Sequence, residues 1–143
     1  MIWKAKLEDA LWKAKLEQET FSDPLSEEFI TNDLKNNPFA NYFVAEVDNQ
    51  IVGYIGSWMT DNTEILNFCV SEKYRNKGIG SKLFMILEDR HIGVISLEVR
   101  ESNIGAIRFY EREGFRKVAM RKNYYSNGDD AILMVKRWRW WLY

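Results

Sequence analysis

The stretch that decides the fold reads Val70-Ser71-Glu72-Lys73-Tyr74-Arg75-Asn76-Lys77-Gly78-Ile79-Gly80-Ser81. An apolar strand leads into it, and the apolar periodicity after it predicts a helix. Because Gly78 and Gly80 lack Cβ atoms, their backbone N–H groups can come close to a ligand. The first N–H groups of a helix have no internal acceptor and lie at the positive end of the helix dipole. The stretch therefore predicts a site for a phosphate or pyrophosphate group.

Two well-known phosphate-binding loops do not match this stretch. A P-loop needs G-x-x-x-x-G-K-[ST], and a dinucleotide fingerprint needs G-x-G-x-x-G, whereas Gly80 is followed by Ser81-Lys82-Leu83. The remaining pattern, Arg75-x-x-Gly78-x-Gly80, resembles the coenzyme A pyrophosphate loop of the GNAT superfamily of N-acetyltransferases. Taken alone, the pattern is equally compatible with an ordinary glycine-rich turn.

Composition limits the classes of protein to be considered. The chain has 143 residues, of which 46% are hydrophobic and 29% charged, with a formal net charge of −1. We expect one soluble domain over residues 1–143 with one core and no direct binding of nucleic acid. The single cysteine, Cys69, excludes an internal disulfide and fits a reducing compartment. Without an apolar run long enough for a membrane span or a signal peptide, we expect a cytoplasmic protein.

Periodicity and turn residues give the order of elements as β-α-α-β-β-β-α-β-α-β-β. We expect strands at residues 2–6, 42–47, 51–59, 64–70, 94–99, 115–122 and 131–138. We expect helices at residues 7–18, from an N-cap at Ser26 to about residue 36, from the glycine loop to about residue 90, and at residues 104–113. The predicted fold class is α+β, with a mixed, mostly antiparallel sheet of about seven strands and about four helices. A central βαβ unit carries the glycine loop.

The second half of the chain carries a longer resemblance. It contains Leu97-Glu98-Val99-Arg100-Glu101-Ser102-Asn103, then Ala106-Ile107-x-Phe109-Tyr110-Glu111-x-x-Gly114-Phe115, then Arg121-x-Asn123-Tyr124-Tyr125-x-x-Gly128-x-Asp130-Ala131. These strings resemble the RimI group of the GNAT superfamily, whose members acetylate the N-terminal alanine of a small-subunit ribosomal protein. The resemblance implies acetyl-CoA as co-substrate and the N-terminus of a basic ribosomal protein as acceptor. The single histidine, His91, and the single cysteine argue against a zinc or other transition-metal site.

The resemblance also implies two catalytic residues. The residue matching Glu98 accepts the proton of the amine, usually through water, and the residue matching Tyr110 protonates the leaving thiolate of coenzyme A. A base is useful because an α-amine, with a pKa of about 8, is mostly protonated at neutral pH. The alternatives are structural: Glu98 as a strand-end carboxylate paired with Arg100 or a lysine, and Tyr110 as a core residue of an amphipathic helix.

Further positions are implied to bind the coenzyme. The backbone of Phe68, Cys69 and Val70 matches the strand that holds the acetyl-pantetheine arm as though it were another strand. An N–H group there would polarise the thioester carbonyl. Asn103 is implied to bond the coenzyme near that arm, and it can also cap the following helix. Cys69 is not predicted to be a nucleophile, because no His or Asn string accompanies it.

Tyr124, Tyr125, Asp129 and Asp130 are implied to help bind the acceptor, because aromatic walls and carboxylates suit a cationic peptide. The alternative is an ordinary polar loop. The tail at residues 136–143 alternates Arg and Trp, which suits a strand extension, a self-association edge or a surface for anions. We expect a monomer or a weak homodimer.

Two other functions remain open. One is the same chemistry on another small amine or on a lysine. The other is a coenzyme-binding module that no longer catalyses, held in an assembly by its Trp-rich tail. The presence of both Glu98 and Tyr110 counts against the second.

Overall fold

The computed structural model describes residues 2–4, 6, 9, 12, 13, 15, 16 and 27–137. The strands are β1 Ile2–Lys4, β2 Ala40–Val47, β3 Gln50–Met59, β4 Thr63–Val70, β5 Ile95–Arg100, β6 Arg116–Arg121 and β7 Ala131–Lys136. The helices within residues 27–137 are α1 Glu27–Asn36, α2 Ile79–Arg90 and α3 Ile104–Arg112, and a short 3-10 turn covers Glu72–Tyr74. The predicted fold class is confirmed, and so is the predicted order of elements apart from the first helix, which the structure describes only in part.

The strands form one sheet of seven strands in the order β1-β2-β3-β4-β5-β7-β6. Neighbouring strands are antiparallel except β4 and β5, which are parallel. A parallel pair needs a crossover connection, and α2 supplies it. The predicted βαβ unit is therefore β4-α2-β5, with the glycine loop between β4 and α2.

Local sequence signals set the boundaries of several elements. Asp48 and Asn49 have φ values of 51° and 64°, the left-handed conformation that a tight hairpin between β2 and β3 requires. Helix α1 stops at Asn36, two residues before Pro38. Gly114, with φ of 101°, follows the C-cap of α3 and ends that helix.

The sheet buries side chains on both faces. One face packs against α2 and α3, with a core that includes Phe43, Ile55, Leu83, Phe84 and Leu97. The other face packs against α1, through a smaller core of Leu16, Ile30, Tyr42, Val44, Tyr54 and Cys69. Successive β2 residues alternate between the two cores, as the period of a strand requires.

A polar network joins α1 to the sheet. The Tyr42 hydroxyl donates to Asp33 Oδ2 at 2.7 Å, and Trp58 Nε1 donates to both Asp33 oxygens at 3.0 and 2.9 Å. Asn37 Nδ2 donates to Asp33 Oδ1 at 2.9 Å. Asp33 is thus a buried carboxylate whose oxygens are hydrogen-bonded, which fixes α1 on the sheet.

Lys13 is a buried cation beside this network. Its side chain is 0% exposed, and its Nζ lies 6.0 Å from the centre of the Tyr42 ring. Among the described residues, Lys13 Nζ has no hydrogen-bond partner. Burial lowers the pKa of the Lys13 amine to about 8, although the charge of Asp9 acts to raise it.

Parts of the sequence analysis fall where the structure gives little or nothing. Trp12, Lys13, Lys15 and Leu16 are helical, in agreement with the predicted first helix, and the rest of that helix lies outside the described residues. The Ser26 N-cap and residues 138–143 of the tail also lie outside them. Within the described part of the chain, the helices lack the length and apolar character needed to cross a bilayer.

Candidate active site

The site is organised by a split between the two parallel strands. Pairing of β4 with β5 is limited to Thr63 with Ile95, Glu64 with Ser96 and Ile65 with Leu97. On the other side of β4, Gly56 is paired with Asn67 and Ser57 with Ile65, so Leu66 is an extra residue in a β-bulge. A bulge bends its strand, and here it directs the rest of β4 away from β5. The split has the backbone of residues 66–70 on one side and residues 98–100 on the other.

The predicted coenzyme strand, Phe68 to Val70, forms the β4 side of the split. The Phe68 ring lies on the α2–α3 face, stacked on Phe109 at 5.4 Å and edge-on to Phe84 at 5.0 Å. The Cys69 side chain lies on the opposite face in the core under α1 and is 3% exposed. Its burial in an apolar core agrees with the prediction that Cys69 is not a nucleophile.

The two glycines of the loop have different structural roles. Gly78 is the N-cap of α2 with φ of 80°, and a Cβ there would meet nothing within 4 Å. Gly80 lies in the first turn of α2, where a Cβ would be 3.0 Å from Phe68 Cζ and 3.3 Å from Phe109 Cζ. Gly78 thus supplies a left-handed turn, and Gly80 supplies close packing of α2 on the aromatic cluster.

Two cationic residues, Arg75 and Lys77, come just before the start of α2. Arg75 Nε donates to the carbonyl of Val70 at 3.0 Å, which fixes the arginine against the end of β4. The Lys77 amine lies 5.5 Å from the centre of the Tyr74 ring. Ser81 Oγ donates to Glu113 Oε2 at 3.4 Å, so α2 contacts the end of α3.

Helix α3 begins shortly after β5, on the other side of the split from β4. Asn103 caps it, and its side chain accepts a hydrogen bond from the amide of Ala106 at 3.1 Å. The capping role predicted for Asn103 is confirmed, while its contact with the coenzyme remains a prediction. Because β4 and β5 are parallel, α2 and α3 both follow the carboxyl ends of these strands, but the start of α2 contacts the end of α3 at Glu113, so the dipole that favours an anion at the glycine loop is that of α2.

Glu98 lies on β5 beyond the last residue paired with β4. Alternate residues of β5 are buried, and Glu98 is on the half-buried face away from the larger core. Its side chain is 19% exposed, and Oε1 lies 3.5 Å from Arg121 Nη1. Its other oxygen, Oε2, is buried and has no hydrogen-bond partner in the part of the chain that the structure describes. Arg100, one of the partners considered from sequence, contacts Asp129 instead.

Tyr110 packs within the aromatic cluster on the face of the sheet that is covered by α2 and α3. Its ring centre lies 6.2 Å from Phe68, 6.0 Å from Phe84 and 6.0 Å from Phe115. Burial raises the pKa of the Tyr110 phenol well above its usual range. Electrostatic interactions with Cys69 and Tyr125 add smaller increases. The phenol therefore keeps its proton at ordinary pH and can donate a hydrogen bond. The packing role of Tyr110 is present in the structure, and it does not exclude a catalytic one.

Two tyrosines of the loop between β6 and β7 lie beside Glu98. The negative charge of Glu98 is the largest cause that raises the pKa of Tyr124, and a hydrogen bond to Glu98 adds to it. Burial raises the pKa of Tyr125, and the charge of Glu98 is the next cause. The rings meet edge to face with centres 5.1 Å apart, and Tyr124 is 50% exposed. The loop thus adds an aromatic wall to the carboxylate.

The two carboxylates predicted for acceptor binding are used inside the loop. Asp130 Oδ1 accepts from the amide of Asn123 at 2.9 Å. Asp129 Oδ2 accepts from Ser102 Oγ at 3.1 Å and from Asn127 Nδ2 at 3.0 Å. Both carboxylates therefore shape the loop, and their contact with an acceptor, like that of the two tyrosines, remains a prediction.

Sequence reasoning missed the two arginines that border the site. Arg121 pairs with Glu98 and lies 5.6 Å from the centre of the Tyr124 ring, and Arg100 lies 4.0 Å from the centre of the Tyr125 ring. Both stood inside the strings quoted above, but their partners depend on the pairing of β5 and β6 with β7. No group of three metal-ligating side chains occurs among the described residues.

Comparison with known proteins agrees with this geometry. The family model described as Acetyltransferase (GNAT) family matches residues 5–115. An uncharacterized N-acetyltransferase of Methanocaldococcus jannaschii is 42% identical over 102 residues, which are 67% of this chain and 65% of that protein. The ribosomal protein bS18-alanine N-acetyltransferase of Haemophilus influenzae is 37% identical over 114 residues, 71% of this chain and 77% of that protein.

A solved structure extends the similarity to the whole fold. The crystal structure of the ribosomal-protein-S18-alanine N-acetyltransferase from Escherichia coli superposes with a TM-score of 0.85 at 27% identity. The superposition covers 95% of this chain and 92% of that one.

Proposed function

This chain belongs to the GNAT family of acetyltransferases, and from that premise we propose that it transfers the acetyl group of acetyl-CoA to the N-terminal α-amine of a protein. The acceptor we propose is the N-terminal alanine of a small-subunit ribosomal protein. The bacterial relatives from Haemophilus influenzae and Escherichia coli are named for that acceptor. We also propose that the reaction takes place in the cytoplasm, where ribosomal proteins are made.

One observation supports this function most directly. Glu98 Oε2 is buried and lacks a hydrogen-bond partner among the described residues, although the other oxygen of the same carboxylate faces Arg121. A buried acceptor atom left unpaired is costly, and a bound amine or water would satisfy it. The Glu98 carboxylate lies next to Tyr124 and Tyr125. It is also at the split between β4 and β5, which begins after the paired residues Ile65 and Leu97.

The chain's own groups divide the work of the reaction. Glu98 takes a proton from the ammonium group of the acceptor, directly or through water, and leaves a neutral amine. That amine attacks the thioester carbonyl, so a C–N bond forms while the C–S bond breaks, and the nitrogen loses its second proton, through water, to the departing thiolate. We propose that amide groups on the open edge of β4 polarise the carbonyl.

We propose that Tyr110 assists the departing sulfur. Its phenol keeps its proton because burial raises its pKa. The same shift widens the gap between the phenol and a thiol, whose ordinary pKa is about 8.5. We therefore assign Tyr110 a hydrogen bond to the developing thiolate, with complete proton transfer the harder step.

A peptide panel tests the function. Short peptides that differ only in their first residue are incubated with the protein and acetyl-CoA, and the products are read by mass. We expect one added acetyl group on the α-amine, with alanine first among the residues accepted. A lysine-containing peptide with a blocked N-terminus is the control. Acetylation of that control alone would favour a lysine acetyltransferase, and no product on any peptide would favour the non-catalytic alternative.

A further inference from the structure

Arg100 is a charged residue near the site with several partners, and the reaction described above does not use it. Its side chain is 18% exposed, and it is two residues beyond Glu98 on the same face of β5. Arg100 Nη1 donates to Asn127 Oδ1 at 2.8 Å and lies 3.5 Å from Asp129 Oδ2. Its guanidinium carbon is 4.0 Å from the centre of the Tyr125 ring. One side chain thus holds three residues of the β6–β7 loop.

Asp129 connects these contacts to the backbone. Besides Arg100, its Oδ2 accepts from Ser102 Oγ at 3.1 Å, which ties the loop to the end of β5. The Asp129 carbonyl accepts from the amide of Tyr125 at 3.1 Å, and the Tyr125 carbonyl accepts from the amide of Gly128 at 2.9 Å. Hydrogen bonds from Asn127, Ser102 and Arg100 lower the pKa of the Asp129 carboxyl, so it is ionised at neutral pH.

We propose that Arg100 is a positioning residue for the acceptor: through Asp129, Asn127 and the face of Tyr125, it holds the β6–β7 loop against Glu98 in the form that binds the acceptor N-terminus. This inference rests on the proposed function. It adds that β5 supplies both the base, Glu98, and Arg100, the side chain that orders the β6–β7 loop beside it.

The physical basis is pre-organisation. A loop that must be ordered on binding reduces affinity by the entropy lost, whereas a loop already held loses little. An arginine suits this task because its planar group can stack on an aromatic ring while its N–H groups bond to oxygens at the edge. Lysine can supply the charge and a donor but not the flat face.

Kinetics of three variants test the proposal, with a ribosomal-type peptide that begins with alanine as the acceptor. Arg100→Gln should raise KM for the peptide on the order of tenfold, as the loss of one pre-organising contact set implies. KM for acetyl-CoA should stay within about twofold of the wild-type value, since the Arg100 contacts described above are with the β6–β7 loop. Arg100→Lys should show an intermediate KM, because it restores the charge without the stacking.

Arg116→Gln is the matched control. Arg116 begins β6 at the end opposite the β6–β7 loop, opposite Val135, and is exposed. The Arg116→Gln variant should leave KM for the peptide and KM for acetyl-CoA unchanged. An unchanged peptide KM in Arg100→Gln, or an equal rise in both KM values, would overturn the positioning role.

Hydrogen exchange separates this inference from the proposed function, because it needs no acceptor. The amides of Tyr125 and Gly128 are bonded within the loop, and Arg100→Gln should make their exchange on the order of tenfold faster at an unchanged melting temperature. If wild-type protein acetylates none of the peptides but these amides respond as expected, the proposed function is wrong and the loop-holding role stands. Exchange that does not respond overturns the inference whatever the acceptor proves to be.

Discussion

The two oxygens of Glu98 have different surroundings, and this asymmetry defines the chemistry at the scale of single residues. Oε1 faces Arg121, a side chain that is 57% exposed, at 3.5 Å, and Oε2 is buried without a partner in the described part of the chain. An ion pair with so exposed a partner is weak. The pair therefore orients the carboxylate while leaving its second oxygen available for an amine or a water.

Glu98→Gln should keep the fold and the binding of coenzyme A while lowering kcat by roughly 10²–10⁴-fold, the usual contribution of a general base. The deficit should shrink as pH rises above the pKa of the acceptor amine, because the amine then loses its proton unaided. Steady-state rates across pH measure this, with Glu101→Gln, an exposed neighbour beyond the end of β5, as the control. A deficit that is constant across pH would make Glu98 an orienting group instead.

Tyr110→Phe keeps the ring among Phe68, Phe84 and Phe115 and removes only the hydroxyl. Acetyl-CoA should bind almost normally, and the step that expels the sulfur should slow. An acetyl thioester of a more acidic thiol needs less help to leave, so this substrate should recover part of the lost rate. Single-turnover rates on both thioesters make the comparison; equal deficits would leave Tyr110 with packing alone.

At the scale of elements, the turn into α2 depends on two glycines for separate reasons. Gly78→Ala places a Cβ in open space but keeps a positive φ, so it should cost about 1 kcal/mol of stability. Gly80→Ala places a Cβ 3.0 Å from Phe68 Cζ, so the Phe68 ring or the start of α2 must shift by a few tenths of an ångström. Calorimetry with coenzyme A should show the larger loss of affinity in Gly80→Ala. A larger loss in Gly78→Ala would mean that the turn conformation matters more than the packing of the helix.

Most elements could be predicted because their signals are local. The hairpin at Asp48 and Asn49, the Asn103 cap and the stop at Gly114 each depend on residues close in sequence. The split between β4 and β5 could not, because it arises from a bulge at Leu66 that only the pairing with β3 reveals. Glu98 and Tyr110 came from resemblance, whereas Arg100 and Arg121 acquire their roles through β7 and its neighbours.

At the scale of the whole molecule, a buried lysine opposes folding at neutral pH. Burial lowers the pKa of Lys13 from 10.5 to about 8. The unfolded chain therefore binds more protons than the folded one between these values, and stability rises with pH across that window. Below about pH 8 the folded protein carries the full desolvation penalty, which corresponds to about 3 kcal/mol.

Lys13→Met should therefore stabilise the protein at pH 7 by up to about 3 kcal/mol, since it removes the buried charge and keeps most of the volume. The advantage should fall as pH rises from 8 towards 10.5. Denaturant unfolding at several pH values measures both effects. Lys15→Met is the control, because Lys15 belongs to the same helical segment and is exposed. A gain that does not vary with pH would assign the effect to packing.

The split in the sheet also bears on how the protein resists aggregation. An open sheet ordinarily has two edge strands, but the early end of pairing between β4 and β5 creates two more short edges in its middle. Unpaired edges are templates for other chains. A coenzyme arm that lies along β4 would cover one of these two middle edges. Binding of the co-substrate would then also protect the protein from aggregation. Heated with excess coenzyme A, the protein should begin to scatter light at a higher temperature than without it, and the supply of coenzyme would then help set how much of the enzyme stays in solution.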